Sequence, residues 1–340
     1  MSKYQYANSN SIKVVMIIRN YLGDFITMAV PLCNHLQSIY GKCNFYFFYP
    51  DKDIKNDEII KCFFPDAHMF PTPSGNRYFQ RFKMAIKYRW IKPDIGISTV
   101  LNYPKTNSLF LFTIGAKERY ARAANQATSK LLNHPFICHD TSELDNQPIG
   151  LCSLQVFDSN LKEIPEKLYP LLDINKIKRY SPKYSGLKIL VEVSNSKHFC
   201  QLLNTKCAEI LNELYKSHKF SVLISAKSND FDKATELKAK LSMDAEIHIS
   251  PTLDNFISFV NAADIVLTGD GGLGHISGAL NKKIVALYSR TPIKHWGILA
   301  RDVTHLYDSD NVNNIKNDII ATAISNYLTS EYLPFTGENV

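Results

Sequence analysis

The sequence lacks the cysteine patterns that build disulfide frameworks or zinc ribbons. Its seven cysteines are odd in number, scattered along the chain and without a Cys-x-x-Cys pair, so reduced thiols in a cytosolic protein are the simpler interpretation. It also lacks an apolar run near the ~20 residues that a membrane-spanning helix needs, and its polar beginning shows no apolar signal-peptide core. We therefore expect a cytoplasmic protein, soluble or peripheral to a membrane.

Several catalytic signatures are missing as well. The ten histidines form no His-Glu-x-x-His or other metal-ligand spacing, and the chain has neither a Gly-x-Ser-x-Gly elbow nor a P-loop, so no metal site is predicted. The excess of 39 Lys plus Arg over 32 Asp plus Glu gives a net charge of +7, which is modest for 340 residues. This charge suggests an anionic partner but does not by itself indicate a nucleic acid, and we expect none.

The composition is that of a folded protein. An apolar fraction of 45% excludes disorder and collagen-like repeats. Because a single hydrophobic core stops growing at roughly 250–300 residues, we expect two domains. The predicted domains are 1–170 and 171–340, with the last helix free to pack back on the first domain.

Short β-rich runs alternate with longer helical patterns along the chain. This alternation favours an α/β fold in which parallel sheets carry helices on both faces. A polar stretch at 165–186 separates two such series, which indicates two Rossmann-like, doubly wound domains. The predicted strands are Ile12–Ile18, Cys43–Tyr49, Asp94–Ser98, Leu187–Val193, Phe220–Ser225, Glu246–Ile249, Asp264–Leu267 and Lys283–Leu287, and the predicted helices are 24–37, 197–218, 229–241 and 252–262. Since ligands bind beyond the carboxyl ends of such strands, we expect the chemistry in a cleft between the domains.

The most specific segment runs from Asp264 to Trp296. A strand leads into the turn Thr268-Gly269-Asp270-Gly271-Gly272-Leu273-Gly274-His275 and then into a helix of small residues. Glycines at such a turn leave backbone N–H groups exposed at a helix N-terminus, which is a ready site for a pyrophosphate. Asp270 would accept hydrogen bonds from sugar hydroxyls. The alternative is a structural glycine turn in which Asp270 caps the helix.

This segment resembles the signature of glycosyltransferase family 9, the ADP-heptose:lipopolysaccharide heptosyltransferases. The matching positions include Asp270, His275, Thr291-Pro292 and Trp296, and the chain departs at Gly271, where the family carries Ser or Thr. The resemblance implies GT-B architecture, with two facing Rossmann-like domains, of which 1–170 binds the acceptor and 171–340 the nucleotide sugar. It also implies inversion at the anomeric carbon and no metal or other cofactor. It also implies a set of donor-binding residues in this segment: Asp270, Gly271, Gly272, Leu273, Gly274, His275 and Thr291.

A second segment, Val14 to Pro31, is similar to the N-terminal run of the same family. It reads as a strand ending near Arg19, then Leu-Gly-Asp, then a helix that contains a proline. By resemblance, Asp24 is the general base that takes the proton from the acceptor hydroxyl. The alternative is that Asp24 caps the helix. Pro31 breaks a local rule, because a proline inside an ordinary helix costs ~3 kcal/mol.

The turn after the first strand of the second domain, Val193 to Phe199, resembles the family's phosphate-binding turn. Lys197 is the candidate for the phosphates of the nucleotide, with Ser194 and Ser196 as hydroxyl donors. A compact ammonium suits phosphate, although a solvated lysine is the alternative. The family also carries a Glu after the next strand that holds the ribose, and Ser225–Asp230 offers none at that place.

The segment from Arg77 to Lys92 contains six basic residues and no acidic one. Apolar residues recur near helical spacing, which predicts a basic amphipathic helix. Such a helix can bind an anionic lipid surface or a phosphorylated acceptor, and the alternative is a solvated helix that lies on its own sheet. The candidate residues for the acceptor or the membrane are Arg77, Arg81, Lys83 and Lys87.

The resemblance implies an inverting enzyme that moves a heptose or a related sugar, from ADP-heptose as the expected donor, to the inner core of lipopolysaccharide or lipooligosaccharide. An anionic glycolipid acceptor implies peripheral contact with the cytoplasmic face of the inner membrane. The alternatives are a nucleotide-sugar-binding protein without catalysis or a family member with another donor sugar.

Two Asp-x-Asp strings, at 51–53 and 308–310, raise the further alternative of a metal-dependent enzyme, which a two-domain layout disfavours. A dinucleotide-dependent oxidoreductase would need Gly-x-Gly-x-x-Gly after the first strand, where the chain has RNYLGD.

Overall fold

The computed structural model describes residues 11–19, 21–50, 55–73 and 76–329. The chain forms two compact units. The first extends to Lys176 and also includes Pro292–Arg301, and the second comprises Ile177–Thr291 and the chain from Asp302 onward. None of the described helices combines the length and the apolar character that crossing a bilayer requires.

The first unit is built on one parallel sheet. Its strands are β1 (Ile12–Ile17), β2 (Cys43–Pro50), β3 (His68–Thr72), β4 (Ile95–Ser98), β5 (Glu118–Ala123) and β6 (His134–Ile137). Its α-helices are α1 (Leu22–Asp24), α2 (Val30–Tyr40), α3 (Lys55–Phe63), α4 (Arg77–Lys87), α5 (Pro104–Thr113), α6 (Gln126–Ser129), α7 (Ile149–Phe157) and, from the returning segment, α12 (Ile293–Trp296). A π-helix spans Phe25–Ala29, and 3-10 turns lie at Arg89–Ile91, Thr141–Leu144, Glu166–Leu168 and Ile174–Lys176. The strand order is β3-β2-β1-β4-β5-β6.

The central strand β1 is a continuous run of apolar residues, as expected for a strand that is covered on both faces. It pairs in parallel with β2 on one side and with β4 on the other. Aromatic rings fill the space around β2, where Phe47 meets Phe25 edge-on with ring centroids 5.6 Å apart, and Phe48 meets Phe110 at 4.9 Å. The strand predicted over Ile12–Ile18 is therefore confirmed to within one residue.

Pro31 does not interrupt a continuous α-helix. The π-helix Phe25–Ala29 precedes it, and Pro31 occupies the first turn of α2, where a missing N–H costs little. The expected helix over 24–37 is thus three consecutive segments, α1, the π-helix and α2. Single π-turns of this kind are rare and concentrate at functional sites.

The second unit repeats the architecture of the first. Its strands are β7 (Lys188–Glu192), β8 (Ser221–Ala226), β9 (Ala245–Ile249), β10 (Ile265–Gly269), β11 (Lys283–Ser289) and β12 (Val303–Asp308). Its α-helices are α8 (Asn204–Ser217), α9 (Phe231–Lys240), α10 (Leu253–Asn261), α11 (Gly272–Ala279) and α13 (Asn317–Thr329), with 3-10 turns at His198–Cys200, Ser228–Asp230 and Val312–Asn314. The order β12-β11-β10-β7-β8-β9 places the first strand of the unit in the middle, as in the first sheet. The predicted fold class, α/β with two Rossmann-like domains, is confirmed.

One sequence-based expectation about the second unit needs correction. The helix predicted over 197–218 begins only at Asn204, because residues 197–203 form a 3-10 turn and a loop in which Cys200 N–H bonds to the Lys197 carbonyl. The last described helix, α13, packs on α8. The segment Pro292–Arg301 belongs to the first unit.

Candidate functional site

Three of the predicted donor residues lie together at the carboxyl ends of the second sheet. The Nζ of Lys197 lies 2.5 Å from Oδ2 of Asp270 and 3.5 Å from the hydroxyl oxygen of Thr291. Lys197 follows β7, Asp270 follows β10 and Thr291 follows β11, which are neighbouring strands of the sheet. The Asp270 carboxylate is buried, whereas the Lys197 side chain is 41% exposed. A partly exposed ammonium beside a buried carboxylate can meet an anionic ligand without leaving the carboxylate uncompensated.

The turn before α11 is shaped by a close backbone contact at Gly269. A Cβ at Gly269 would lie 2.0 Å from the carbonyl oxygen of Cys200, so only glycine fits there. A Cβ at Gly271 would meet nothing nearer than the side-chain nitrogen of Asn195 at 3.6 Å, and its φ of 177° is extended backbone open to any residue. The N-cap of α11 is Gly271, so the alternative in which Asp270 caps the helix is wrong.

Asn195 connects the two halves of this cluster and was not identified from the sequence. Its Oδ1 accepts a hydrogen bond from the backbone N–H of Lys197 at 2.9 Å, and its Nδ2 donates to the carbonyl oxygen of Asp270 at 3.2 Å. The first bond is an Asx-turn, in which a side chain bonds to the backbone two residues on. The sequence signal that could have identified it is its position, two residues before the candidate lysine in a turn after a strand, because Asn favours an Asx-turn there.

The two predicted serines differ in their surroundings. Ser194 is buried, and its hydroxyl accepts a hydrogen bond from the backbone N–H of Lys227 at 2.9 Å. It therefore ties the turn after β7 to the turn after β8. Ser196 is exposed beside Lys197. Of the two hydroxyls, that of Ser196 has the greater exposure to solvent.

The remaining predicted donor residues lie in the first turn of α11. Gly272 is exposed, while Leu273 and Gly274 are buried and serve the packing of the helix. His275 comes next, and burial lowers its pKa to about 4, although the charge of Asp270 acts in the opposite direction. The imidazole is therefore neutral near pH 7 and can accept or donate a hydrogen bond there, but it does not supply a positive charge.

Glu192, at the carboxyl end of β7, is an acidic group that the sequence analysis missed. Burial raises its pKa to about 7, against the opposing effects of the Lys227 charge and of a hydrogen bond with Thr268. Together with Asn195 and Gln201, Glu192 and Thr268 supply polar groups to the wall of a pocket at the ends of β7 and β10. The chain thus carries a carboxyl group on the central strand, one strand away from the place where the family pattern has its Glu.

Asp24, the candidate base, is the third residue of α1 and makes an ion pair with Arg19. The distance from Arg19 Nη1 to Asp24 Oδ2 is 3.2 Å, and the Asp24 side chain is 14% exposed. The N-cap of α1 is Tyr21, so Asp24 does not cap that helix, and it makes no side-chain cap bond to the π-helix that follows. The capping alternative for Asp24 is therefore wrong.

The returning segment adds an aromatic ring to the Arg19–Asp24 pair. The guanidinium carbon of Arg19 lies 5.7 Å from the ring centroid of Trp296 in α12, within cation–π range. The neighbouring His295 is fixed through its Nδ1, which lies 2.7 Å from the carbonyl oxygen of Gln147. Trp296, which carried part of the family resemblance, therefore packs on the cation that pairs with Asp24.

The basic segment is helical over Arg77–Lys87. The helix exposes its phenylalanines, Phe79 and Phe82, and does not bury them against the unit. Arg81 is buried and donates a hydrogen bond to Asn107 on α5, so it belongs to the packing of the unit. Lys83 and Lys87 are exposed, and Arg77 is the first helical residue. Arg81 therefore lies on the buried side of the helix, whereas Lys83 and Lys87, which were predicted with it to meet the acceptor or the membrane, are exposed.

The described residues contain no group of three or more His, Cys, Asp or Glu side chains that could hold a metal ion. In the string at 308–310, Asp308 accepts backbone N–H bonds from Asp310 and Asn311 at 2.9 Å, and Asp310 pairs with Arg290 at 2.6 Å. Both carboxylates thus have local structural partners. The other string, at 51–53, lies outside the described residues.

The cluster of Lys197, Asp270 and Thr291 falls within the part of the chain that matches a known family. Residues 196–320 match the model of glycosyltransferase family 9, described as heptosyltransferase. This part of the chain is therefore similar to glycosyltransferase family 9. The resemblance seen in the sequence is confirmed, and so is the prediction of a glycosyltransferase of the heptosyltransferase family.

Solved structures with the same fold include members of the heptosyltransferase family. An E. coli ADP-heptose lipopolysaccharide heptosyltransferase II has 16% identity and a TM-score of 0.69, with 93% of this chain and 98% of that chain covered. E. coli heptosyltransferase WaaC with ADP has 13% identity and a TM-score of 0.71, with 93% and 100% covered. A family 9 glycosyltransferase from Veillonella parvula has 11% identity and a TM-score of 0.72, with 94% and 98% covered. No curated protein sequence matches this one.

Proposed function

We propose that this glycosyltransferase transfers a heptose, or a closely related sugar, from a nucleoside-diphosphate donor to a sugar hydroxyl of the lipopolysaccharide or lipooligosaccharide inner core. The observation that carries the proposal is the assembly of Lys197, Asp270 and Thr291 inside the family 9 region. ADP-heptose is the proposed donor, supported by relatives of the same fold that were solved with ADP and with ADP-2-deoxy-2-fluoro heptose.

The proposed reaction breaks the bond between the anomeric carbon and the diphosphate oxygen. Asp24 takes the proton of the acceptor hydroxyl, whose oxygen attacks the anomeric carbon from the opposite face, and the electron pair of the broken bond leaves with the nucleoside diphosphate. Inversion follows from this single displacement. General-base assistance of this kind typically contributes 10²–10⁴-fold in rate.

Charge develops on the diphosphate as it leaves, and we assign its stabilisation to Lys197 and to the backbone N–H groups at the start of α11. Preorganised charges and dipoles that face a developing charge are usually among the largest contributions to catalysis. Lys197 is held by Asn195 through its backbone and by Asp270 through its ammonium, so it is already ordered before the donor arrives. We propose that this cation, and not a metal ion, meets the diphosphate.

The test is transfer by the purified protein from ADP-heptose to a core acceptor, followed by mass spectrometry of the product. The expected result is an acceptor heavier by one heptose, with undiminished turnover in EDTA. GDP- and UDP-sugars serve as donor controls. Loss of turnover in EDTA that Mn²⁺ restores would contradict the metal-free mechanism, and product from another nucleotide sugar alone would contradict the proposed donor.

A nucleotide-sugar-binding protein without catalysis is the second candidate, because Gly271 lacks the hydroxyl of the family pattern. It is distinguished by a donor titration that shows binding together with a transfer assay that shows no product. The presence of Asp24 with its own ordered cation, Arg19, favours the enzyme. For the acceptor, we propose an anionic glycolipid reached by peripheral contact with the cytoplasmic face of the inner membrane.

A further inference from the structure

Helix α4 and the 3-10 turn after it expose large apolar side chains along one line. Phe79 is 63% exposed, Phe82 44%, Ile86 54% and Trp90 64%, and we call these four residues the outer face. They recur at the spacing i, i+3, i+7 and i+11, which keeps them on one side of a helix. With aromatic side chains of about 200 Å² each, the exposed apolar area is on the order of 400 Å². Apolar patches of this size are often functional.

The outward direction of this face is fixed by the packing of the opposite side of α4. Arg81 is buried and hydrogen-bonds to Asn107 of α5, and Met84 and Ala85 are buried in the core of the first unit. Turning the helix to bury the outer face would expose Met84 and Ala85 and would break the Arg81–Asn107 bond. The exposure of the outer face is therefore a property of the folded unit.

Exposed lysines border the outer face. Lys83 and Lys87 lie on one flank of it, and no acidic residue occurs between Arg77 and Lys92. A protein partner is the less suitable occupant, because lysine is depleted in protein–protein interfaces. Lysines beside a stripe of Phe, Ile and Trp are instead the pattern of helices that lie in the headgroup region of anionic membranes, where tryptophan is enriched.

We propose that α4 is an interfacial membrane anchor. The outer face enters the boundary between headgroups and acyl chains, and Lys83 and Lys87 contact anionic headgroups of the bilayer. This inference deepens the proposed function and rests on it, because an enzyme with a glycolipid acceptor works at a membrane. The binding itself involves neither the donor nor the acceptor sugar, so it is measured separately from transfer.

The experiment is flotation of the full chain with vesicles of phosphatidylcholine, alone or with one quarter phosphatidylglycerol. The parent is expected to float with the anionic vesicles and to be released by high salt. Phe79→Ser/Ile86→Ser should lower the partition coefficient about tenfold or more. Lys83→Gln/Lys87→Gln should lower it about fivefold per lysine, on anionic vesicles only. Phe231→Ser, which removes a phenylalanine that is 49% exposed from the second unit, is the matched control and should change nothing.

Tryptophan fluorescence gives an independent measurement, because the chain has only two tryptophans. In Trp296→Phe, the emission of the remaining Trp90 should shift to the blue and be quenched by brominated lipids, whereas Trp90→Phe should show neither effect.

Asp24→Asn should bind vesicles like the parent while failing in transfer, which separates this proposal from the proposed function. Unchanged flotation of Phe79→Ser/Ile86→Ser, with its melting temperature intact, would overturn the proposal. So would a parent dimer that this variant converts to monomer, because a second copy would then cover the outer face.

Discussion

The two units share one strand order but hold their candidate charged residues in different ways. In the second unit, Lys197 and Asp270 lie in turns that leave little conformational freedom, because Gly269 accepts no side chain and Asn195 bonds to both turns. In the first unit, Asp24 lies where an α-turn passes into a π-helix, and it forms an ion pair with Arg19. The proposed donor site is thus positioned largely by backbone geometry, whereas the proposed base is positioned by side-chain contacts. The family match, residues 196–320, lies in the second unit except for the returning segment Pro292–Arg301.

The largest expected effect separates the two units by function. Asp24→Asn keeps the size of the side chain but cannot accept a proton, so transfer should fall by 10²–10⁴-fold. Donor affinity, which we assign to the second unit, should stay at the parental value in a calorimetric titration. Since Asp24 does not cap α1, the melting temperature should change little. An active Asp24→Asn enzyme would leave the first unit without a base. The two units could then no longer be distinguished as the proposed base and the proposed donor site.

The next effect is on donor binding. Lys197→Ala should weaken the binding of the free nucleoside diphosphate by about 10- to 100-fold, the range for losing a hydrogen bond to a charged group. Asp270→Asn should weaken the nucleotide sugar more than the free diphosphate, because its assigned partner is the sugar. The double variant should lose less than the sum of the two single losses, since the groups are 2.5 Å apart. Parental donor affinity in both single variants would contradict the assignment of the site.

Two glycines of the same turn test how strongly backbone geometry fixes the proposed donor site. Gly269→Ala forces a Cβ to within 2.0 Å of the Cys200 carbonyl oxygen and should cost ~1–3 kcal/mol or more in the free energy of unfolding. Gly271→Ser has room and an extended backbone, so its stability should change by less than ~0.5 kcal/mol. Urea unfolding of the two variants, side by side, measures the difference. If the new hydroxyl meets the donor as the family pattern implies, Gly271→Ser should also bind it more tightly.

The smallest effect concerns the buried carboxyl group of Glu192. Its pKa in the folded protein is about 7, above the ordinary value of 4.5, so the folded state keeps a proton that the unfolded state has lost between these two values. Its contribution to stability is therefore greatest at low pH and falls as the pH rises towards 7. Glu192→Gln should match the parent near pH 5 and exceed it by ~1–2 kcal/mol near pH 8. Glu213→Gln, on the exposed side of α8, is the control and should show no such difference.

Much of the second unit was predictable because its signals are local. The strand ends, the glycine turn and the Thr-Pro segment are contiguous in sequence, and Asp270 and Thr291 came from one motif. The partnership of Lys197 with Asp270 was not visible, because it spans 73 residues and depends on β7 and β10 being neighbours in the sheet. Glu192 was hidden for a related reason, since nothing in the run LKILVEV distinguishes a buried carboxyl from an exposed one.

The first unit was harder to predict. Strands β3, β5 and β6 were not assigned. The edge strands β3 and β6 carry prolines and histidines in place of branched apolar residues. Strand β5, with the sequence ERYARA, consists mainly of charged residues and alanines. The basic helix was found, but the direction of its faces was not, because Arg81 is buried through a bond to Asn107 that lies on another helix. Periodicity identifies two faces of a helix. Which of them meets the core is decided by tertiary partners.

The returning segment Pro292–Arg301 has a consequence for how this enzyme can be divided and recombined. The chain passes between the units three times, after Lys176, after Thr291 and after Arg301. A gene fragment that ends at Lys176 therefore encodes an incomplete first unit, without the tryptophan that stacks on the arginine paired with Asp24. Any exchange of the second unit between relatives as one continuous stretch of chain, in evolution or in the laboratory, carries this tryptophan with it. Such a chimera thus also inherits a new neighbour for the arginine beside the proposed base, unless its junctions are placed at 291 and 301.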